Sequence, residues 1–330
     1  MTSLGTTFSA RTLTIDAQAE TERIVAAMRA QLRAMRRRGF VLGLSGGIDS
    51  SVCAALAARA VGPENVFCLF MPENDSDPES LRLGQLVATT FGLGGEVENI
   101  GPMLEAMGCY ARRDASIREV VPEYGEGWRS KLVIANGVTT AGYNISSLVV
   151  EDPAGETRKI RLPARTYLGI VAATNMKQRT RKQLEYFHAD RLKYGVLGTP
   201  NRLEDDQGFF VKNGDGSADV KPIAHLYKSQ VYQLAECLGV PEEVRRRPPT
   251  TDTYSLPQTQ EEFYFSLPYD KLDLCLYGLD NDVPAKEVAQ AASLTEEQVA
   301  LVWADIAAKR KAAHYLHLPA QRVEAVLPPA

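Results

Sequence analysis

The sequence predicts a doubly wound parallel α/β sheet with flanking helices. Short apolar runs at 40–44 and 66–71 read as buried strands. Segments of helical period at 16–37, 48–61 and 78–91 alternate with them. A turn rich in glycine joins the first strand to the helix after it. Strands that alternate with helices are linked by crossovers, and crossovers give parallel pairing.

Each element has a local reason. In 16–37, Ile24, Val25, Met28, Leu32 and Met35 recur at helical spacing, and Arg36, Arg37 and Arg38 precede Gly39, where cations suit a helix C-terminus. Phe40-Val41-Leu42-Gly43-Leu44 is apolar throughout, as a strand covered on both faces is. Ile48 to Val61 is Ala-rich and stops at Gly62-Pro63. Val66–Met71 repeats the strand pattern, 78–91 the helix, and a strand is expected at Glu96–Ile100. Residues 102–165 break the rhythm with Gly125, Gly127, Gly137, Gly142, Pro153 and Gly155, and read as an irregular insertion with one strand-like stretch, Ser147–Glu151. A helix at Tyr167–Leu192 and a strand at Gly195–Gly198 resume the pattern. A Gly- and Asp-rich loop (208–219), a helix at Leu226–Leu238, an extended loop over 245–270, and helices at 284–292 and 295–312 complete a single domain over 1–330. Residues 1–12 read as frayed.

Composition narrows the function. The chain has 330 residues, 45% hydrophobic and 24% charged, with a net charge of −4. Such a chain needs neither disulfides nor metal to hold a core. The slight acidity argues against nucleic acid or an anionic membrane as the main partner. Cys53, Cys68, Cys109, Cys237 and Cys275 are scattered without a C-x-x-C and read as buried thiols of a reducing compartment. The four His make no zinc pattern. No run approaches the roughly 20 apolar residues of a membrane span, and residues 1–15 lack a signal-peptide core. The expected location is cytoplasmic.

The strongest local signal is Leu44-Ser45-Gly46-Gly47-Ile48-Asp49-Ser50-Ser51, set between a strand and a helix. Two glycines let the backbone turn sharply and approach a ligand closely. The helix then offers free N–H groups and the positive end of its dipole to an anion. Ser45, Ser50 and Ser51 add hydroxyls, and the Asp49 carboxylate suits a divalent cation on phosphate oxygens. The parts describe a pyrophosphate cradle with Mg²⁺. Neither G-x-x-x-x-G-K-[ST] nor G-x-G-x-x-G is present. Gly43-Leu44-Ser45-Gly46-Gly47 also satisfies the G-x-S-x-G elbow of serine hydrolases, with Asp206 and His225 or His314 as partners for Ser45. A third class, DNA binding, is suggested by the helix-turn-helix rhythm of 284–312, although Glu296 and Glu297 would repel phosphates.

The Ser-Gly-Gly-Ile-Asp-Ser-Ser loop resembles that of the N-type ATP pyrophosphatases, which share the adenine-nucleotide α-hydrolase-like fold. The later segments resemble ammonia-dependent NAD synthetase. They are Asn175-Met176-Lys177-Gln178-Arg179-Thr180-Arg181, Gly198-Thr199-Pro200-Asn201-Arg202-Leu203-Glu204, Gly208–Asp215, Ala218–Ile223 and Leu226–Val231. The likeness covers about 17–100 and 167–270. It implies a ligase that uses ATP to adenylate a carboxylate, that of deamido-NAD, and then lets ammonia displace AMP; a related amide ligase acting on another carboxylate is the alternative. By position, Ser45, Gly46, Gly47, Asp49, Ser50 and Ser51 would hold ATP phosphates. Asp49 and Glu204 would bind Mg²⁺, Thr199 the nucleotide and Lys228 the phosphates. Arg247 and Thr250 would form a second phosphate loop. Arg179, Arg181, Lys212 and Asp219 would face deamido-NAD, Asp219 near the incoming ammonia. Catalysis would rest on Asp49, Lys228 and Asp219, and the family resemblance implies a homodimer. About 40 residues precede the phosphate loop, too few for an amidase domain, so ammonia rather than glutamine is the expected donor. Phe263, Tyr264, Phe265 and Tyr269 read as packing residues. The chain departs from the family pattern at Gln258-Thr259-Gln260-Glu261-Glu262, in its C-terminal segment and in the 102–165 insertion.

Overall fold

The computed structural model describes residues 8–134, 146–250, 253–265 and 267–324. The elements run α1 (Ala17–Ala34), β1 (Phe40–Gly43), α2 (Ile48–Val61), β2 (Val66–Phe70), α3 (Pro78–Phe91), β3 (Gly94–Val97), α4 (Gly101–Ala106), α5 (Cys109–Arg118), β4 (Arg129–Ile134), β5 (Ser146–Glu151) and β6 (Thr157–Arg161). They continue with α6 (Ala164–Leu192), β7 (Gly195–Val196), α7 (Arg202–Gln207), α8 (Lys228–Leu238), α9 (Glu242–Arg246), α10 (Tyr269–Asp280), α11 (Ala285–Ala292) and α12 (Glu296–His317).

Four strands pair in parallel in the order β3-β2-β1-β7, with Phe40 opposite both Val66 and Gly195. Alternate residues of the central strands enter different cores. Phe40, Leu42, Leu44, Cys68 and Phe70 pack with α1, α2, α3 and α8. Val41, Leu69, Met71 and Val196 pack with Ile100, Leu104, Cys109, Tyr110 and Ala189 from α4, α5 and α6. Helices on both faces explain the unbroken apolar runs and make the sheet doubly wound. Chain direction reverses beside β1: α2 leads away to β2, while β7 arrives on the other flank from α6. Crevices at the carboxyl ends of strands at such a switch point are where ligands bind in open α/β sheets.

Four expectations change. The third strand is Gly94–Val97 rather than 96–100; it is an exposed edge strand, so no apolar pattern marks its ends. The segment read as irregular holds α4, α5 and a three-stranded antiparallel sheet, β4-β5-β6, whose Leu132, Leu148 and Val150 bury against Ile117, Ile170 and Tyr254. Gly137 and Gly142, which prompted that reading, lie outside the described residues. The 245–270 loop includes a π-type turn, Glu261–Phe265, and is followed by α10, unread in the sequence. The N-terminal stretch is anchored from Ala10, where a 3₁₀ turn buries Leu13 in the C-terminal cluster.

Helices α10, α11 and α12 bury Leu272, Leu276, Val288, Val299, Val302 and Ile306 against one another, so packing accounts for their apolar pattern. Of the five thiols, all free, only Cys237 is not buried. Among the described residues no helix is long and apolar enough to cross a membrane.

Candidate active site

β1 ends at Gly43, and the chain turns through Leu44-Ser45-Gly46-Gly47 into α2. Gly46 has φ +75°, and a Cβ there would come within 2.5 Å of the Ser80 carbonyl oxygen and 2.8 Å of the Gly84 nitrogen. Both the left-handed conformation and the close approach of α3 therefore demand glycine. The Gly47 carbonyl accepts from the Ser50 hydroxyl (3.0 Å) and the Ser51 hydroxyl (2.7 Å). Ser45 Oγ accepts from the Gly47 N–H (3.3 Å) and lies 3.1 Å from Ser50 Oγ. The turn and the start of α2 thus present N–H groups and two linked hydroxyls, of Ser45 and Ser50, to a cavity of about 800 Å³ at the carboxyl ends of β1, β2 and β7.

At the foot of the cradle lies a buried charge cluster. Asp49, in the first turn of α2, accepts from Asn201 Nδ2 (3.1 Å) through Oδ1 and from the Lys228 ammonium through Oδ2. Lys228 is fully buried, with Nζ 5.1 Å from the centre of the Tyr269 ring. Burial works against its charge, but Asp49 and Glu204 outweigh burial and hold its pKa above the ordinary lysine value. Glu204 is buried at the start of α7, where it accepts from the Asn201 N–H (3.2 Å) and from Gln260 Nε2 (3.2 Å). Burial first, and the neighbouring Asp49 charge second, push its carboxyl well above the usual range. One cation and two carboxylates thus share a largely buried site at the cavity wall, in which a second positive charge would be welcome.

Lys228 is placed by Asp273 of α10, which accepts from the Ser229 N–H (2.7 Å) and the Lys228 N–H (3.3 Å) and so caps α8. Burial pushes the Asp273 carboxyl from 3.8 up to about 6, against those N–H groups, which favour its charged form. The folded value lies above the unfolded one. Its contribution to stability is complete below the unfolded value and is lost as pH rises through the folded one. Wild-type stability relative to Asp273→Asn should therefore fall by about 3 kcal/mol between about pH 4 and pH 7, read from urea midpoints. A constant difference across that range would show that Asp273 is ionised throughout.

Ser45, Gly47, Asp49, Ser50, Thr199, Glu204, Arg247 and Thr250 line the cavity, and Arg181 borders it. Arg247 donates to Ser80 Oγ (3.1 Å) and Asp77 Oδ2 (2.9 Å) at the start of α3, the helix that closely approaches Gly46. Gly46 and Ser51 do not line it: Gly46 turns toward α3, and Ser51 is spent on the Gly47 carbonyl. Lys228 stands behind the wall, paired to Asp49.

Three further sequence-derived positions fall outside the cavity. Arg179 is exposed and donates to the Lys212 carbonyl (3.2 Å); two residues from Arg181, it points about 200° away around the helix. Lys212 donates to the carbonyls of Tyr315 (2.8 Å) and Leu318 (2.9 Å) at the end of α12. Asp219 is exposed and accepts from the Val196 N–H (2.8 Å). The acidic residue of that loop that faces the cavity is Asp215, whose carboxyl burial raises. Lys182 and Glu185, paired at 2.6 Å on the cavity face of α6, were also missed; their i+4 and i+7 spacing from Gln178 was the available signal. Phe265 and Tyr269 are core residues as expected, but Phe263 and Tyr264 line the cavity. Among the described residues no His lines the cavity, so Ser45 has no base there of the kind a serine hydrolase needs. Glu96, Glu98 and His188 cluster at the far edge of the sheet, where Arg191 donates to His188 Nδ1 (2.9 Å) and supplies the positive charge.

A glycine turn opening the first helix at the switch point of a doubly wound parallel sheet, with carboxylates beneath it, defines a protein of the adenine-nucleotide α-hydrolase-like fold. The family model described as NAD synthase matches residues 20–123 and 144–319, and the chain belongs to that family. It is 74% identical over 319 residues to an NH(3)-dependent NAD(+) synthetase of Rhizobium meliloti (strain 1021), covering 97% of this chain and 96% of the relative. Among solved structures it is similar to an NMN synthetase from Francisella tularensis (TM-score 0.65, 20% identity, 94% of this chain and 99% of that one). It is also similar to an NH3-dependent NAD synthetase from Campylobacter jejuni (TM-score 0.61, 22% identity, 94% and 100%).

Proposed function

We propose that the protein amidates deamido-NAD with ammonia, giving NAD, AMP and pyrophosphate. The observation that carries the reading is the Asp49–Lys228–Glu204 cluster directly beneath the Gly46-Gly47 cradle, in a chain whose high-identity relative bears the name NH(3)-dependent NAD(+) synthetase. A carboxylate oxygen attacks the α-phosphorus of ATP and pyrophosphate leaves. Ammonia then attacks the acyl carbon, AMP leaves, and the nitrogen gives up a proton to form the amide. No protein nucleophile is required, so positioning and charge neutralisation supply the rate.

The α2 N–H groups and the hydroxyls of Ser45 and Ser50 would hold the leaving pyrophosphate, with Arg247, Thr250 and Lys228 as cationic and polar partners and Thr199 on the nucleotide. Asp49 and Glu204 are hard oxygen donors whose shared site favours added positive charge, and that donor chemistry fits Mg²⁺. Bound there, the ion would neutralise charge on the α-phosphate and the leaving group. Arg179, Lys212 and Asp219 would meet deamido-NAD from the outer face of α6. Leu168 (62% exposed), Arg179 and Tyr186 form one stripe there, and Asp219 accepts from Tyr186 (3.5 Å). A homodimer joined along this stripe would enclose them.

Incubation with ATP, Mg²⁺, NH₄⁺ and deamido-NAD should yield NAD and AMP in equal amounts by mass spectrometry, and glutamine in place of NH₄⁺ should yield little. Turnover with a different acid only would indicate the related amide ligase. ADP with orthophosphate would overturn the reading.

A further inference from the structure

We propose that strand β4 is a positioning element for the nucleotide site, holding the 253–262 loop against it; the inference rests on the amidation reading above. β4 lies within 124–143, the stretch that the family model passes over. Among the described residues it is an edge of its sheet, paired on one side only, with β5. An edge strand presents unpaired N–H and C=O groups, and here the loop satisfies them. The Ser130 N–H donates to Ser255 Oγ (2.9 Å), the Leu256 N–H donates to the Ser130 carbonyl (3.2 Å), and Gln258 Nε2 donates to the Leu132 carbonyl. Lys131 adds an ion pair to Glu262 (2.7 Å) and a hydrogen bond to the Pro257 carbonyl (3.1 Å).

The clamped loop leads straight to the chemistry. Two residues beyond Gln258, Gln260 donates its side-chain N–H to Glu204 (3.2 Å) and its backbone N–H to the Pro249 carbonyl (3.1 Å). Thr259 bridges to Thr250, next to Pro248 and Pro249 and three residues from Arg247. β4 itself presents Leu132 and Val133 to the cavity wall. The 253–262 loop thus sits between β4 and the groups proposed to hold metal and phosphate. At its start, Lys177 of α6 holds the Thr253 carbonyl (2.8 Å), so β4 governs the middle of the loop rather than its root. A loop ordered in advance spares the nucleotide the entropy of ordering it, which appears as tighter binding.

The test compares the full-length protein with Gln258→Leu and with Lys131→Ala, the latter altering a partly exposed pair that leaves the core intact. Gln258→Leu should raise hydrogen exchange across 253–262 and weaken Mg-ATP binding about tenfold by equilibrium titration, with KM for ATP rising in step and kcat changed less than about twofold. Lys131→Ala should shift both readouts the same way, less far, and Lys131→Arg should restore them. Unchanged exchange and unchanged ATP affinity in Lys131→Ala and in any folded Gln258 variant would overturn the proposal. A failure of the amidation reading would show instead in the unaltered protein, as no AMP or NAD formed, and leaves the exchange and binding readouts standing.

Discussion

Asp49→Asn should cut AMP formation by about 10³-fold while the protein stays folded. The carboxylate is assigned to Mg²⁺, and charge neutralisation on transferring phosphoryl groups is worth several kcal/mol; about 4 kcal/mol corresponds to that loss. The local bonding agrees. An amide at 49 can accept from Lys228 through its oxygen, but its NH₂ then faces Asn201 Nδ2, a donor against a donor, where Asp49 Oδ1 accepts at 3.1 Å. Asn201 cannot turn over to help, because its own Oδ1 accepts from the Glu204 N–H (3.2 Å). The fold survives because losing the Asp49 charge removes one of the causes that raise Glu204, which then ionises more readily and keeps Lys228 paired. The expected stability cost is about 1 kcal/mol, from one lost hydrogen bond and a weakened helix N-terminus. Coupled AMP detection and thermal unfolding check both halves, and normal AMP output would remove the metal role from Asp49.

The same cluster shows what the sequence could and could not reveal. The cradle was legible because its determinants are local: Gly46 is forced by its own φ and by α3, and Asp49, Ser50 and Ser51 follow directly in α2. Thr199, Glu204 and Lys228 came only through a resemblance, since nothing in an acidic turn or a helix start announces a buried partner 152 residues away, as Asn201 is from Asp49. Two misplacements had a readable cause. Arg179 and Arg181 cannot share a helix face at a spacing of two, and that argument alone shows that only one of them can face the cavity. Asp215 and Asp219 sit in one loop with no period to rank them, and only the pairing of Val220 beside Leu197 decides that Asp219 falls outside. Of the β4 sheet only β5 was legible, as the strand-like stretch Ser147–Glu151; the rest was hidden because its burial is completed by the distant Tyr254 and Ile170, and Gly125 and Gly127 before β4 and Pro153 between β5 and β6 read as irregular chain.

Lys228→Met should be the most destabilising single change at the site. The ammonium is completely buried and balances two carboxylates, and methionine fills its volume without its charge. Breaking a buried pair from one side costs about 3–5 kcal/mol, because the surviving charge loses its counter-ion in a largely buried site. Glu204 can escape by holding its proton more tightly, as its raised pKa already inclines it to do, but Asp49 is left with Asn201 alone. The melting temperature should fall by about 5–10 °C. Mg²⁺ without nucleotide should then raise the melting temperature of the variant more than that of the wild type, since an added cation restores the balance that the lysine supplied. In the unaltered protein Lys228 already occupies that electrostatic role, so bare Mg²⁺ gains little until phosphates offer the ammonium another partner. Equal Mg²⁺ shifts in the two proteins would show that lysine and metal do not answer to the same carboxylates, and would separate the Asp49–Glu204 pair from the ion it is assigned.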